Sequence, residues 1–355
     1  MAQARVTLVV YGATGATGHR IAEQAAAAGI PVIAVGRRPD ALAALGVPTR
    51  VATLDRRELD AAVAGASVVV SCAGPYTHFG APVLAAAIRA GASYVDCTGE
   101  PRWVQRIIDE FEASAIEAGV AVVPSLGLGV ATDITAGMAS ALVGGDDAVR
   151  RLTCAVRIVG MRPSLATVRS TVELVAGGAP VVDNGTVSWK LAGRHTHRFA
   201  TGRGALFATP DALVLARAYP HARIECHTQP AAMGIGLAAA GALWRFPGTL
   251  TATRAALARS KGPSRHAGGG TSQVTVEAEG HTGIRTLTGD VDDVYEITAA
   301  GAFAVAVALL AGAGGKTGLR NAGQFLGSPE HAATTLRVRF GERSCAGFSD
   351  PSGFA

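Results

Sequence analysis

Lysine is nearly missing from this sequence: Lys190, Lys261 and Lys316 are its only lysines, and arginine carries almost all the positive charge. With the many alanines, that skew reads as high-GC codon bias. No Lys/Arg-rich run occurs and aromatic residues make up only 5%. A nucleic-acid partner needs a clustered basic stripe with interleaved rings, so that class is excluded. Charged residues are also sparse, 17% against 49% hydrophobic, which excludes a disordered chain and allows a sizeable core. The five cysteines are an odd number without a CxxC spacing, so neither a disulfide framework nor a zinc site is expected. Reduced thiols in a reducing cytoplasm are the expectation, and no bound metal. Two apolar stretches, 231–243 and 297–313, fall short of the ~18 residues of a membrane span and consist largely of Ala and Gly. Both are expected as buried helices. Residues 5–11 run straight into a glycine-rich turn, which marks a strand and not a signal peptide. The net charge of +5 is mild and suits an anionic small ligand.

A chain of 355 residues accommodates two domains sharing an interface. The first 130 residues alternate short β-rich runs (5–11, 31–35, 49–54, 67–71, 93–96, 120–123) with helical patterns (15–28, 56–64, 82–90, 102–118). That rhythm predicts an α/β fold, an N-terminal Rossmann doubly wound parallel sheet. Beyond residue 131 helices at 134–143, 164–177, 211–218 and 296–311 mingle with β-patterned stretches at 151–159, 222–228, 272–279 and 284–290. A second, α+β domain over 132–355 is expected to carry substrate binding and dimerisation, with the C-terminal segment free to pack back on the first. The Gly/Ser-rich segment 261–272 is expected as a mobile loop.

The strongest local signal is Gly12-Ala13-Thr14-Gly15-Ala16-Thr17-Gly18, directly after the first strand and opening the first helix. Glycines there permit a tight turn and let the backbone approach a pyrophosphate, while the helix N-terminus offers N–H donors. Gly12, Ala13, Thr14, Gly15, Thr17 and Gly18 are therefore cofactor-binding candidates. An NAD site usually has Asp or Glu at the end of the second strand. This chain has Gly36-Arg37-Arg38-Pro39 instead. A carboxylate repels a 2′-phosphate and a guanidinium grips it, so Arg37 and Arg38 point to NADP(H). Asp55, Ala73-Gly74-Pro75 and Thr98-Gly99 sit at the carboxyl ends of later strands and are expected to line the adenosine and nicotinamide halves. Asp55 and Asp133 also suit helix N-caps.

With those motifs in hand, residues 1–133 resemble the saccharopine dehydrogenase-like oxidoreductases, a family that includes trans-acting enoyl reductases. The specific part is Ala73-Gly74-Pro75-Tyr76 followed by Tyr94-Val95-Asp96-Cys97-Thr98-Gly99-Glu100; the Tyr295–Ala300 segment is similar more loosely. Pro163-Ser164-Leu165-Ala166-Thr167 replaces a Ser-Gly-Gly-Thr-like turn of many relatives, and Asn321-Ala322 replaces a Thr-Pro. The resemblance implies an NADPH-dependent reductase of a polarised double bond, C=C of an enoyl substrate or C=N of an imine. A lipid, polyketide or other secondary-metabolite substrate, free or linked to a carrier or CoA, follows; the extent of β-patterned and apolar sequence beyond 131 separately leads to the expectation of a homodimer. A non-catalytic NADP(H)-binding regulator is the alternative, since the Gly12–Gly18 start also resembles proteins of that type. Short-chain dehydrogenase chemistry is excluded: it needs Tyr-x-x-x-Lys, and no tyrosine here has lysine four residues on.

For the proton that accompanies a hydride, Tyr76 is the first candidate, at the mouth of the interdomain cleft. His78 and Tyr295 come next, with Glu100 orienting the substrate. His195 and His197 are expected to be surface residues, and Cys72 and Cys97 to pack across adjacent strand ends.

Overall fold

The computed structural model describes residues 7–260, 270–312 and 315–340. Six parallel strands follow one another through the first third: β1 (Leu8–Tyr11), β2 (Val32–Gly36), β3 (Thr49–Val51), β4 (Val68–Ser71), β5 (Ser93–Asp96) and β6 (Ala121–Val123). Between them run α1 (Ala16–Ala27), α2 (Pro39–Ala43), α3 (Arg56–Val63), α4 (Tyr76–Arg89), α5 (Pro101–Arg106) and α6 (Glu112–Glu117). The sheet order places β3, β2, β1, β4, β5 and β6 side by side, with the order reversing beside β1. Strands β1 and β4 are wholly buried, as their unbroken Leu/Val runs require of strands covered on both faces. At the crevice outside the carboxyl ends of such a sheet, nucleotides bind.

The rest of the chain forms a second, mixed sheet. It contains β7 (Arg151–Val159), β8 (Ala179–Asp183), β9 (Thr186–Lys190), β10 (Thr196–Phe199), β11 (Gly202–Leu206), β12 (Arg223–Gln229), β13 (Thr271–Gly280) and β14 (Gly283–Val291). Helices α7 (Gly129–Ala141), α8 (Leu165–Gly177), α9 (Asp211–Leu215), α10 (Ala231–Leu243), α11 (Thr249–Arg259) and α12 (Val294–Leu310) accompany it. Near the end, β15 (Gly318–Leu319) returns to the first sheet beside β6; α13 (Pro329–Thr335) and β16 (Arg339–Phe340), which pairs with β14, follow. Helix α7 packs on β13 and β14, while α12 packs on α1, β4 and β5. One hydrophobic core consequently runs through both sheets.

Several expectations change. Helix α4 begins at Tyr76, not at Pro82, because Pro75 opens it and Pro82 is accommodated inside it. The expected helix over 102–118 is broken by a π-turn at Ile107–Phe111. Strands β8, β9 and β11 carry no strand signal in a stretch rich in Gly and polar residues, whereas β10 falls where His195 and His197 share one face of a possible strand. The apolar stretch at 297–313 is buried along much of its length within α12, but 231–243 is not: α10 lies on the surface with most of its length open to solvent. Of the expected loop over 261–272, residues 261–269 lie outside the described residues, as does Cys345. Among the described residues no helix is long and apolar enough to cross a membrane, and no His/Cys/Asp/Glu group has the arrangement of a metal site.

Candidate functional site

The turn after β1 is built for glycine at two positions. Gly12 has φ +80, and a Cβ on it would lie 3.0 Å from the Cys72 carbonyl carbon. A Cβ on Gly18 would stand 2.5 Å from the Gly12 carbonyl oxygen, so α1 crosses the turn at backbone contact. Gly15 donates its N–H to Gly12 at 3.0 Å and starts α1, which has neither a side-chain cap nor an acidic residue in its first turn. Helix-start N–H groups therefore face the crevice, where a pyrophosphate would satisfy them. The Thr14 methyl lies 3.8 Å from where a Gly36 Cβ would be, at the exit of β2. There Arg37 and Arg38 are exposed, and the Arg37 guanidinium sits 5.9 Å from the centre of the Phe79 ring. Backbone cradle, helix start and paired arginines fit a nucleotide with a further phosphate on its ribose.

Asp55 serves as a helix cap. Its carboxylate accepts from the N–H groups of Arg57 and Glu58 and caps α3. Asp133, by contrast, is not a cap, since it lies inside α7.

The loop leaving β4, Ala73-Gly74-Pro75, contains a cis peptide between Gly74 and Pro75. A Gly74 Cβ would meet the Ser170 hydroxyl of α8 at 3.0 Å, so the second unit lies directly against this wall. Tyr76 follows, but not at the cleft mouth. It is only 5% exposed, and its hydroxyl donates to the Ser71 carbonyl at 3.0 Å. Burial, then the neighbouring Cys97, Cys72 and Asp96, push its pKa well above the ordinary tyrosine value. A phenol in that setting holds its proton and spends it on the core.

Glu100 is likewise structural in its contacts. Buried at the end of β5, it accepts from the N–H of Tyr76 at 2.9 Å, the N–H of Thr77 at 2.8 Å, and the hydroxyls of Thr77 and Ser170. A carboxylate at the α4 N-terminus meets the positive end of the helix dipole. It thus orients α4 and α8, not a substrate. Thr98 accepts from the Glu100 N–H and donates its own N–H to Asp96, which fixes the Thr98–Gly99 bend. Tyr295 is buried too: its hydroxyl accepts from the Ser164 N–H at 2.9 Å and pairs with Thr167 at 2.8 Å, tying α12 to the start of α8. The replaced Pro163–Thr167 turn is therefore an anchor between helices.

His78 is the candidate left at the surface of the junction. It stands in the first turn of α4, with a side chain 45% exposed, and its Nε2 lies 3.3 Å from Glu173 Oε1 on α8. Glu173 is buried and gripped by both arms of Arg254, at 2.8 and 2.6 Å. Burial raises the Glu173 pKa, but hydrogen bonds and charge from Arg254 and His78 outweigh it and leave the carboxyl below its ordinary value. The imidazole is thus held across the junction by a committed anion. Glu173 and Arg254 went unread, because a lone carboxylate in Val172-Glu173-Leu174-Val175 carries no motif and its partner lies 81 residues on.

Two further sets of carboxylates are buried. Asp96 is fully buried, accepts from Trp103, Thr98 and Ser125, and is pushed by burial up to about 6. Asp133 and Asp211 are buried near one another; burial pushes them to about 7 and about 6. Cys72 and Cys97 do meet across strand ends, hydrogen-bonded as free thiols. His197 is partly buried against Glu277 at 2.7 Å, and His195 is exposed.

Residues 12–136 match a protein-family model described as NAD(P)H-binding. Over 138 residues the chain is 31% identical to a trans-acting enoyl reductase of Mycobacterium bovis, covering 36% of this chain and 33% of that protein. Over 144 residues it is 31% identical to the human saccharopine dehydrogenase-like oxidoreductase, covering 34% of each. The chain thus matches about a third of the length of these relatives. The fold likeness reaches further: saccharopine dehydrogenase (L-Glu forming) of Saccharomyces cerevisiae superposes with a TM-score of 0.58, covering 95% of this chain and 99% of that one at 14% identity. The N-terminal unit is an NAD(P)H-binding Rossmann domain, and its cofactor is NAD(P)(H). The resemblance to saccharopine dehydrogenase-like oxidoreductases and trans-acting enoyl reductases read from the motifs is matched in these relatives.

Proposed function

We propose that this chain is an NADPH-dependent oxidoreductase that reduces the C=C bond of an α,β-unsaturated carbonyl compound, free or linked to CoA or a carrier, in a lipid, polyketide or related pathway. The observation that carries the reading is His78, a half-exposed imidazole beside the Ala73–Pro75 loop and anchored by Glu173 and Arg254. Gly12 to Gly18 would hold the pyrophosphate, Thr14 with Arg37 and Arg38 the phosphorylated ribose, and Ala73-Gly74-Pro75 with Thr98-Gly99 the nicotinamide side. When bound, the cofactor supplies a hydride to the β-carbon of the substrate. His78 would donate a hydrogen bond to the carbonyl oxygen, where negative charge develops, and then pass its proton to the α-carbon to complete the saturated product. Glu173 fixes the direction of the imidazole, while Arg254 keeps Glu173 ionised. Glu100 and Tyr295 set the position of α8, and so of Glu173, relative to α4.

The test uses NADPH deuterated at the transferable position and a short α,β-unsaturated acyl thioester. Deuterium at the β-carbon of the product is expected. Deuterium at the carbon of a reduced imine, with the thioester untouched, would move the chain to C=N reduction. Cofactor binding without turnover of either substrate would favour a non-catalytic NADP(H)-binding regulator.

A further inference from the structure

A helix on the surface of a water-soluble domain normally turns its apolar stripe inward and its charged face out. Helix α10 does the reverse. All thirteen residues from Ala231 to Leu243 are Ala, Gly, Met, Ile or Leu. Its inner side is made of small residues: a Cβ on Gly234 would strike Thr228 of β12 at 2.8 Å, and one on Gly241 would strike Val175 of α8 at 2.8 Å. That close seating leaves the larger residues outward. Ala232, Ile235, Ala239, Leu243 and Phe246 are exposed at three- to four-residue spacing. Ile235 is 49% exposed, Leu243 62% and Phe246 63%; with Met233 they make four of the nine exposed large apolar side chains among the described residues.

The segment that carries this stripe has no acidic residue. No Asp or Glu occurs between Glu225 and Glu277; of the arginines at 245, 254 and 259, Arg254 is paired with the buried Glu173 of α8, which leaves Arg245 and Arg259. Arg245 and Arg259 are exposed, beside Phe246 and at the end of α11 respectively. Trp244, partly exposed, closes the helix. Apolar anchors, an indole at the helix end and flanking guanidinium groups are what an anionic lipid surface holds: acyl boundary against the apolar side chains, headgroups against the cations. Thirteen residues of helix extend only ~20 Å, short of the ~30 Å hydrocarbon core, so α10 would lie in the interface and not span it.

We infer that the α10–α11 segment docks this protein on an anionic lipid surface through Ile235, Leu243 and Phe246, with Arg245 and Arg259 at the headgroups. The inference does not rest on the reaction proposed above. Because α10 and α11 both pack on α8, which carries Glu173, docking brings the His78 junction close to the lipid.

The test is flotation of the full chain with phosphatidylcholine vesicles, with and without phosphatidylglycerol. The native protein is expected to float with the anionic vesicles and to be released by high salt. A triple Ile235→Ser, Leu243→Ser, Phe246→Ser variant should stay at the bottom while retaining native circular dichroism and NADPH binding. An Arg245→Gln, Arg259→Gln variant should bind anionic vesicles less tightly by about fivefold for each arginine removed. Failure of the native protein to float overturns the inference, as does flotation that the triple variant leaves unchanged. Light scattering separates the remaining occupant: a native self-association that disappears in the triple variant assigns the stripe to a second copy of this chain and also overturns it.

Discussion

At the scale of single residues, partners decide role more than residue type does. Tyr76 and Glu100 stand in the motif stretches that carry the family resemblance, yet both are consumed by structure, one on the Ser71 carbonyl and the other on four donors from α4 and α8. Sequence reading placed Tyr76 as proton source because it follows the loop against which a nicotinamide would lie; the inward turn of its hydroxyl is set by the tertiary packing of β4 and β5. Tyr76→Phe is accordingly expected to leave turnover unchanged and to cost about 1 kcal/mol of stability, the worth of one buried hydrogen bond. Matched kcat and denaturant-unfolding measurements on the variant check both halves. A hundredfold loss of turnover would return the tyrosine to the reaction.

Asp133 supports a prediction of the opposite kind. Burial raises its folded pKa to about 7, above that of an unfolded aspartate. Between about pH 4 and 7 the folded state therefore binds more protons than the unfolded one, and stability is lost as pH rises through that window. Asp133→Asn keeps the shape of the protonated acid and removes the cost of ionisation. It is expected to be more stable than the native protein at pH 8, by roughly 2–4 kcal/mol, with the gain fading below pH 5. A gain that is the same at both values would show that the charge is not its source.

At the scale of elements, the first sheet was readable almost strand by strand, because fully buried parallel strands appear as short Val/Ala runs between glycine turns. Boundaries slipped where two rules competed. Pro82 read as a helix start, although Pro75 already opens α4. The second sheet was half legible: long strands such as β7 and β13 keep clear alternation, whereas β8 to β11 are short and carry charged or glycine positions that mimic loops. Helix α10 misled for a physical reason. Apolarity reports a preference to leave water, and burial in the protein is only one way to satisfy it. The site followed the same division. The proposed cofactor half is local, a turn and a strand exit, and is visible as motif. The His78–Glu173–Arg254 arrangement joins three helices, α4, α8 and α11, and no local pattern announces it. His78→Asn is expected to lower turnover by roughly 10²-fold with NADPH affinity intact, as loss of a transition-state donor does. Stopped-flow turnover with parallel cofactor titration is the measurement, and an unchanged rate would place the proton source elsewhere.

At the scale of the whole molecule, two sheets share one core, sealed by α12 and by the return of β15 to the first sheet. The extent of β-structure beyond residue 131 leads us to propose a homodimer formed through the second sheet. Light scattering at micromolar concentration is expected to give twice the chain mass, and a monomer would reject it.

The central claim is an NADP(H) site formed by the Gly12–Gly18 turn and the paired arginines at the exit of β2. Isothermal titration calorimetry of the intact protein with NADPH and with NADH tests it most directly. NADPH is expected to bind at least about tenfold more tightly, about 1.4 kcal/mol, with the Arg37→Ala, Arg38→Ala double variant losing most of that difference. Equal affinity of the native protein for the two cofactors would contradict it.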